Sequence, residues 1–330
     1  MKVLITGGTG FIGSRLAFRC AETGHDVAVL GREDASEFEI ETRNLLSNHG
    51  VDVFVGSVTD RERMFEITRG VDIVFHLAAA QHEMNVPDEV FRNVNIEGTR
   101  NMLDASIEAG VERFVHGSSI GVYDRDVTSI VDETTPLKPD NIYGVTKAEG
   151  EKVVKQYFDK QPSTIIRISE TYGPGDRRLL KLFRGINKGV FFVIGNGQNI
   201  HQLIYVDDLV DGLLLTAEHS AAVGETFVLA GNERLTTDGM VAAIAHAVGV
   251  PQKRWRAPLW PFMAAAMVLE TTLRPLGIQP PLHRRRMDFF TKSFQISTEK
   301  AQDLLGFRAK TDFARGARLT AEWYRENGLL

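Results

Sequence analysis

Short apolar runs and stripes of apolar residues three and four positions apart alternate through the first half of the chain. The runs Lys2–Thr6, Asp26–Leu30, Asp52–Val55, Ile73–His76, Phe114–Gly117 and Thr164–Ile168 predict strands. A run such as Ile73-Val74-Phe75 is apolar on both faces, as a strand covered on both sides must be. The helical spacing falls between the runs, over Phe11–Glu22, Asp60–Thr68, Val94–Ala109 and Asn141–Asp159. Strands alternating with helices predict an α/β fold built on a parallel, doubly wound sheet. Ligands of such sheets lie outside the carboxyl ends of the strands.

After about residue 170 the rhythm loosens. Pro174, Gly175, Gly185, Gly189, Gly195 and Gly197 punctuate short elements. Ile204–Val206 and Thr226–Leu229 read as late strands, and Thr236–Val248 as a helix. The division expected is a main domain over 1–170, to which 203–230 returns, and a smaller helix-rich lobe made of 171–202 and 231–330 that covers the site. The apolar stretch from Leu259 to Leu269 is too short to span a bilayer. It reads as a buried helix or a pocket wall, with surface attachment or a lipophilic substrate as its other meanings. The run Arg284-Arg285-Arg286 reads as a solvated face or, more rarely, a phosphate clamp.

The first strand runs directly into Gly7-Gly8-Thr9-Gly10-Phe11-Ile12-Gly13, where Gly7, Gly10 and Gly13 stand three apart. Without Cβ atoms the backbone can turn sharply and approach a ligand closely. The helix that follows aims its free N–H groups and the positive end of its dipole at the turn, which suits a pyrophosphate. A dinucleotide on this turn is the expected ligand.

Composition narrows the rest. The 330 residues are 43% hydrophobic and 25% charged, with a net charge of −5, which gives no reason to expect nucleic acid as a partner. The single cysteine, Cys20, excludes an internal disulfide and a multi-cysteine metal site, and no metal is expected. No secretory signal and no membrane span is apparent, so the expected location is the cytoplasm.

Candidate chemistry gathers in two places. Tyr143 and Lys147 are four apart at the start of a predicted helix and share a face. A phenol titrates near ~10, and a neighbouring ammonium favours its ionised form, so the pair can move a proton at a hydroxyl or carbonyl oxygen. A Tyr-x-x-x-Lys match alone often arises by chance. The strand Phe114–Gly117 ends in Ser118 and Ser119 on the side where a ligand would lie. Ser119 could hydrogen-bond the substrate oxygen beside Tyr143, or the two serines could cap a turn.

Together these residues resemble the extended short-chain dehydrogenase/reductase superfamily, of the NAD(P)-dependent epimerase/dehydratase type. The resemblance covers essentially the whole chain. It includes Gly7-x-x-Gly10-x-x-Gly13, His76-Leu77-Ala78-Ala79-Ala80, Asn95-Ile96-Glu97-Gly98-Thr99, Ser119 with Val122-Tyr123, the Tyr143/Lys147 pair, Tyr172-Gly173-Pro174-Gly175 and Val206-Asp207-Asp208. It implies a Rossmann-type fold and a catalytic set of Ser119, Tyr143 and Lys147. Tyr143 would transfer the proton, Lys147 would lower its pKa and hold the nicotinamide ribose, and Ser119 would orient the substrate. The cofactor would contact Gly7, Gly10, Phe11, Ile12, Gly13, Arg32, Ser57, Val58, Leu77, Ala78, Ala79, Asn95, Tyr143 and Lys147. The resemblance also implies a homodimer through the helices Val94–Ala109 and Asn141–Asp159. Asp207 and Asp208 are expected to be structural, the first as a helix cap.

Departures from the family pattern refine this. Gly31 stands where an acidic residue would hold the ribose hydroxyls of NAD, and Arg32 could hold a 2′-phosphate, which favours NADP over NAD. Ser57-Val58 replaces an acidic-aliphatic pair near the adenine. Ile120-Gly121 follows Ser119 where 4,6-dehydratases of the family carry Asp-Glu, so elimination of water is not expected. A nucleotide-sugar epimerase acting through a transient keto intermediate leads. His201 then stands where many such enzymes place a pyrophosphate arginine, and Arg286 resembles a second; with Ser119 and Tyr143 they make the expected substrate contacts. The tail from Pro280-Pro281-Leu282 to Leu305-Gly306-Phe307 also resembles the branch of 3β-hydroxysteroid dehydrogenases and dihydroflavonol reductases. The alternative is therefore an NADP-dependent reductase or dehydrogenase of a hydrophobic alcohol or ketone, with a dry pocket lined from Trp255 to Leu269. A non-catalytic cofactor sensor is the third.

Overall fold

The computed structural model describes residues 1–81, 86–124, 129–253, 255–273 and 284–330, with the side chains of 284–286 outside that set. Its first half builds β1 (Lys2–Thr6), α1 (Phe11–Glu22), β2 (Asp26–Gly31), α2 (Glu37–Asn48), β3 (Asp52–Val55), α3 (Arg61–Ile67) and β4 (Ile73–His76). Then come α4 (Asp88–Arg92), α5 (Gly98–Ala109), β5 (Arg113–Ser119), α6 (Ile142–Gln156) and β6 (Ser163–Ile168). The second half adds α7 (Leu180–Asn187), α8 (Val206–Glu218), β7 (Thr226–Leu229) and α9 (Thr237–Val248). It closes with α10 (Leu259–Leu273), α11 (Arg284–Thr291), α12 (Glu299–Leu305) and α13 (Phe313–Glu326).

The seven strands form one parallel sheet in the order β7-β6-β5-β4-β1-β2-β3. The order reverses at β1, which pairs with β4 on one side and β2 on the other, and opens a crevice at the carboxyl ends. Side chains alternate between the two faces along each strand, and helices cover both faces of the inner strands. Val3, Ile5, Val27, Val29 and Phe75 pack into one layer with Leu16 and Cys20 of α1, Leu209 and Leu213 of α8 and Leu305 of α12. Leu4, Ala28, Leu30 and Val74 pack into the other with Met64 of α3, Met102 and Leu103 of α5 and Val153 and Val154 of α6. Cys20 is buried and unpaired, and burial pushes its thiol up to about 11. A third cluster holds α7, α9 and α13 together around Tyr172, Phe183, Ile244 and Tyr324.

The structure differs from the sequence expectation at four places. The helix expected over Val94–Ala109 starts as a π turn over Asn93–Glu97 before continuing as α5, and it is preceded directly by α4. The extra residue turns Asn95 inward, where its Oδ1 accepts the Ala80 N–H at 2.8 Å. Of the strand expected over Ile204–Val206, only Ile204–Tyr205 is extended, paired in parallel with Thr171–Tyr172 outside the main sheet. Asp207 does not cap a helix: α8 begins at Val206, and Asp207 takes a bidentate contact from Arg15 of α1 at 2.7 and 2.8 Å. Asp208 accepts the backbone N–H groups of Lys310 and Thr311, tying the C-terminal segment to α8. Finally, the apolar stretch in α10 is neither buried nor a pocket wall. Trp260 is 74% exposed and Val268 61%, and the cavity is lined instead by Asp288 and Phe289 of α11 and by Lys292, Phe294 and Ile296 after it.

Candidate active site

A cavity of about 1170 Å³ lies along the carboxyl ends of the strands. That exceeds the roughly 300–1,000 Å³ usual for one small ligand, so a cofactor and a substrate can share it. One end begins at the glycine turn. Gly7 has φ +70°, and a Cβ there would sit 2.9 Å from the Ala78 N, so the left-handed turn and the neighbouring strand both require glycine. A Cβ at Gly13 would strike Gly7 O and stand 2.8 Å from Gly8 Cα, which lets α1 start hard against the turn. No side chain caps α1, and its first turn carries no acid. Gly10, Phe11, Ile12 and Gly13 all line the cavity, so the N-terminal N–H groups face a place where an anion can lie. This cradle fits the pyrophosphate of a dinucleotide.

Beyond β2 the wall is charged. A Cβ at Gly31 would lie 2.6 Å from Thr9 Cγ2, so no carboxylate fits at that position unless Thr9 moves. Arg32 lies 3.5 Å from Glu39 and 3.8 Å from Asp34. Burial works against the Glu39 carboxylate, but hydrogen bonds from Ser36 and the Arg32 charge outweigh it and hold its pKa below the usual value. Ser57, Val58, Leu77, Ala78 and Ala79 complete this wall.

Ser119, Tyr143 and Lys147 face the same cavity from β5 and α6. Asn141 caps α6 by accepting the Gly144 N–H at 3.1 Å, which sets Tyr143 in the first turn. A Cβ at Gly121 would stand 3.3 Å from Ser119 Oγ and 3.6 Å from Tyr143 Cε1, so the hydroxyl and the ring flank one spot. A side chain there would intrude between them. Ser119 Oγ accepts the Gly121 N–H at 3.1 Å, so it also shapes the turn, as its alternative role required. Lys147 is buried, and its Nζ donates to Gly117 O at 2.6 Å. Burial brings its pKa down to about 8, against the pull of the Glu151 carboxylate.

Two buried networks support this edge. Thr99 Oγ1 donates to Asn95 O, so it must accept from His76 Nε2 at 3.0 Å; His76 Nδ1 then accepts from Thr6 Oγ1 at 2.8 Å. Burial and then the Lys147 charge keep the ring neutral, with a pKa driven down to about 3, which leaves Nδ1 as the acceptor. The second network was not anticipated from the sequence. Glu151 accepts from Ser118 Oγ at 2.6 Å and from Arg167 Nε and Nη2 at 3.0 and 2.8 Å, and Arg167 also donates to the Tyr123 hydroxyl at 2.8 Å. It clamps α6 to β5 and β6 beside Ser119 and one helical turn beyond Lys147. Its only sequence signal was an arginine inside an apolar strand and a glutamate four residues after Lys147.

Asn95 stands behind the cavity wall, not on it. Its amide bridges the Ala80 carbonyl and Thr146 Oγ1, holding the segment after β4 to α6. His201 lines the cavity, but its Nε2 lies 2.9 Å from Thr237 Oγ1 and 3.0 Å from Asn199 Nδ2, and its ring packs on Phe289. Burial lowers its pKa despite Glu170, so it offers an anion little positive charge. The Arg286 side chain and the Pro280-Pro281-Leu282 motif lie outside the described residues. Arg177, Arg178 and Lys292 also line the cavity and were not anticipated. Arg177 lies over the Phe38 ring, which brings the turn after Pro174 across to α2.

A turn built for a dinucleotide, at the switch point of a doubly wound sheet and in one cavity with a Ser-Tyr-Lys set, defines a nicotinamide-dependent enzyme of the extended short-chain dehydrogenase/reductase superfamily. The profile of the NAD dependent epimerase/dehydratase family matches residues 3–230, and the chain belongs to that family. It is 27% identical over 98% of its length to an N-acetyl-alpha-D-glucosaminyl-diphospho-ditrans,octacis-undecaprenol 4-epimerase of Escherichia coli O157:H7, covering 95% of that protein. It is 26% identical over 99% of its length to a dTDP-glucose 4,6-dehydratase of Streptomyces antibioticus, covering 93%. A 3beta-hydroxysteroid-dehydrogenase/decarboxylase isoform 2 of Arabidopsis thaliana is 25% identical over 97% of this chain, which spans 61% of that protein's length. The UDP-glucose 4-epimerase of Thermotoga maritima, solved with UDP-glucose, shares the fold at a TM-score of 0.79, with 24% identity and 99% of each chain covered.

Proposed function

We propose that the protein is an NAD(P)-dependent epimerase of a diphosphate-linked sugar, with nucleotide sugars as the first class to test. The observation that carries this reading is the cavity wall supplied by the second half of the chain. Glu170, Arg178, His201, Gln202, Asp288 and Lys292 line it, whereas the apolar helix α10, the feature that argued for a lipophilic substrate, does not. A polar wall with cations suits hydroxyls and a diphosphate. The dehydratase relative keeps elimination within the family's reach, but Ile120-Gly121 supplies no acid or base beside Ser119.

In this reading Ser119 donates a hydrogen bond to the reacting oxygen. Tyr143 takes the proton of that oxygen and later returns it. Lys147, held against Gly117 O, places a positive charge one turn from the phenol and favours its ionised form. The hydride chemistry is supplied by the bound nicotinamide. Arg32 supports NADP, though a 2′-phosphate must compete there with Glu39 and Asp34.

A second reading, an NADP-dependent dehydrogenase or reductase of a hydrophobic alcohol or ketone, rests on Phe289, Phe294 and Ile296 in the same wall and on the Arabidopsis relative. Titration calorimetry with NADP⁺ and NAD⁺, then UDP and UDP-glucose on the cofactor complex, separates the two. Uridine nucleotide binding that weakens in Lys292→Met, and epimer exchange without net cofactor turnover, support the epimerase. Absence of nucleotide binding, with stoichiometric NADPH consumption on an apolar ketone, replaces it with the second reading.

A further inference from the structure

Four arginines line the cavity among the described residues: Arg32, Arg63, Arg177 and Arg178. Three of them meet a carboxylate. Arg32 lies 3.5 Å from Glu39, Arg63 2.5 Å from Glu66 and Arg178 3.2 Å from Asp176. Arg177 has no carboxylate in salt-bridge reach among the described residues. Its guanidinium lies over the ring of Phe38 instead, 4.8 Å from the centroid, and Phe38 lines the cavity as well. Stacking occupies the face of a guanidinium and leaves the N–H donors along its edge for another group.

The backbone around Arg177 shows what that group is. The turn 173–178 belongs to the second half of the chain, yet it lies against the glycine turn of the first. A Cβ at Gly175, where φ is +97°, would stand 3.2 Å from Phe11 Cδ2, and Phe11 opens α1 at the pyrophosphate cradle. Two residues further on, Arg177 reaches Phe38 in the first turn of α2, which follows β2. The turn thus runs from the start of α1 to the start of α2, along the side of the cavity that suits the phosphates and the adenosine ribose of a dinucleotide. It is held firmly there. Asp176 N donates to Gly173 O at 3.0 Å, the Asp176 carboxylate accepts the Arg178 N–H at 2.8 Å, and the Tyr324 hydroxyl of α13 donates to Asp176 O.

The local charge makes a further cation necessary. Glu33, Asp34 and Glu39 line this end of the cavity, and Arg32 is engaged with two of them. A phosphate placed beside these acids needs a positive charge that they have not already taken. We propose that Arg177 is a phosphate-binding residue for the dinucleotide, and that its contact with Phe38 is a strap across the cofactor cleft. The edge of the guanidinium donates to phosphate oxygens while its face stays on the ring. The cofactor then leaves only when the Arg177–Phe38 contact opens. The proposal rests on the dinucleotide site and holds for either reading of the substrate. The phosphate is the pyrophosphate shared by NAD and NADP, or the 2′-phosphate that NADP adds.

The test is titration calorimetry of the parent and Arg177→Met with NAD⁺ and NADP⁺, together with stopped-flow release of NADH and NADPH from the parent and Phe38→Ala. Methionine keeps an apolar stem on Phe38 and removes the donors, so binding should weaken by at least about tenfold. A loss shared by both cofactors assigns the pyrophosphate; a loss confined to NADP⁺ assigns the 2′-phosphate. Phe38→Ala keeps the charge and removes the platform, and should speed release of both reduced cofactors by about two- to fivefold. Melting temperatures of the cofactor-free variants should stay at the parent value, since Arg177 is exposed and Phe38 half-buried. If the parent binds both cofactors and Arg177→Met binds them within about twofold of it, the assignment of Arg177 is overturned. Unchanged release from Phe38→Ala overturns the strap. A parent that binds neither cofactor overturns the dinucleotide site itself, and so is told apart from a failure of Arg177.

Discussion

The two ends of the cavity are made differently. At the glycine turn the protein offers backbone: N–H groups at an uncapped helix start, brought close by the absence of side chains at Gly7 and Gly13. At the Ser119–Tyr143–Lys147 edge it offers side chains, held by backbone groups and by a cluster of side chains distant in sequence. Lys147 is fixed by Gly117 O, and α6 is fixed to the sheet by the Glu151–Arg167–Ser118 cluster. The first kind of site depends on a local stretch of chain. The second depends on residues distant in sequence being packed correctly, so it can be damaged without being touched.

Tyr143→Phe separates the ends most sharply. It should lower turnover by about 10²–10⁴-fold, the scale of lost proton transfer, and leave NAD(P) affinity within about twofold. A parallel fall in affinity would mean that the ends are one unit. Arg167→Met comes next. It strands the buried Glu151 carboxylate and should cost about 3–5 kcal/mol in urea unfolding. Arg167→Met with Glu151→Leu should recover most of that, since no uncompensated charge remains. A double variant as unstable as the single would show that the cluster acts through shape, not charge.

Lys147 gives the smallest effect and a pH signature. Its folded-state pKa of about 8 lies below the ordinary 10.5. Below pH 8 the folded protein carries a buried charge at a cost; above about 10.5 the group is neutral folded or unfolded and the cost is gone. Stability of the parent relative to Lys147→Met should therefore rise between those values, by up to about 3 kcal/mol. Paired urea melts at pH 7 and at successive points up to pH 10.5 measure it. A flat difference would place Lys147 in a solvated setting.

What could be read from the sequence follows the same division. The glycine turn is local, so its spacing after an apolar run was sufficient. The inner strands of the main sheet were visible because burial on both faces leaves unbroken apolar runs. Tyr143 and Lys147 were visible because helical geometry puts four-apart residues on one face. Arg167 and Glu151 carry no such local pattern; a charged pair inside a sheet becomes intelligible only when α6 lies across β6. The Asp207 cap was a local inference overturned by Arg15, a partner 192 residues away. For α10, composition indicated burial, but composition does not say whether protein or something else does the covering.

The buried Cys20 has a practical use. With its sulfur enclosed in the core and its thiol pushed up to about 11, it is a poor nucleophile toward maleimides at neutral pH. A cysteine introduced at Ala264 on the exposed side of α10 would then be the single reactive thiol in the folded protein. A polarity-sensitive fluorophore attached there could follow this helix in real time without removal of any native residue from the core.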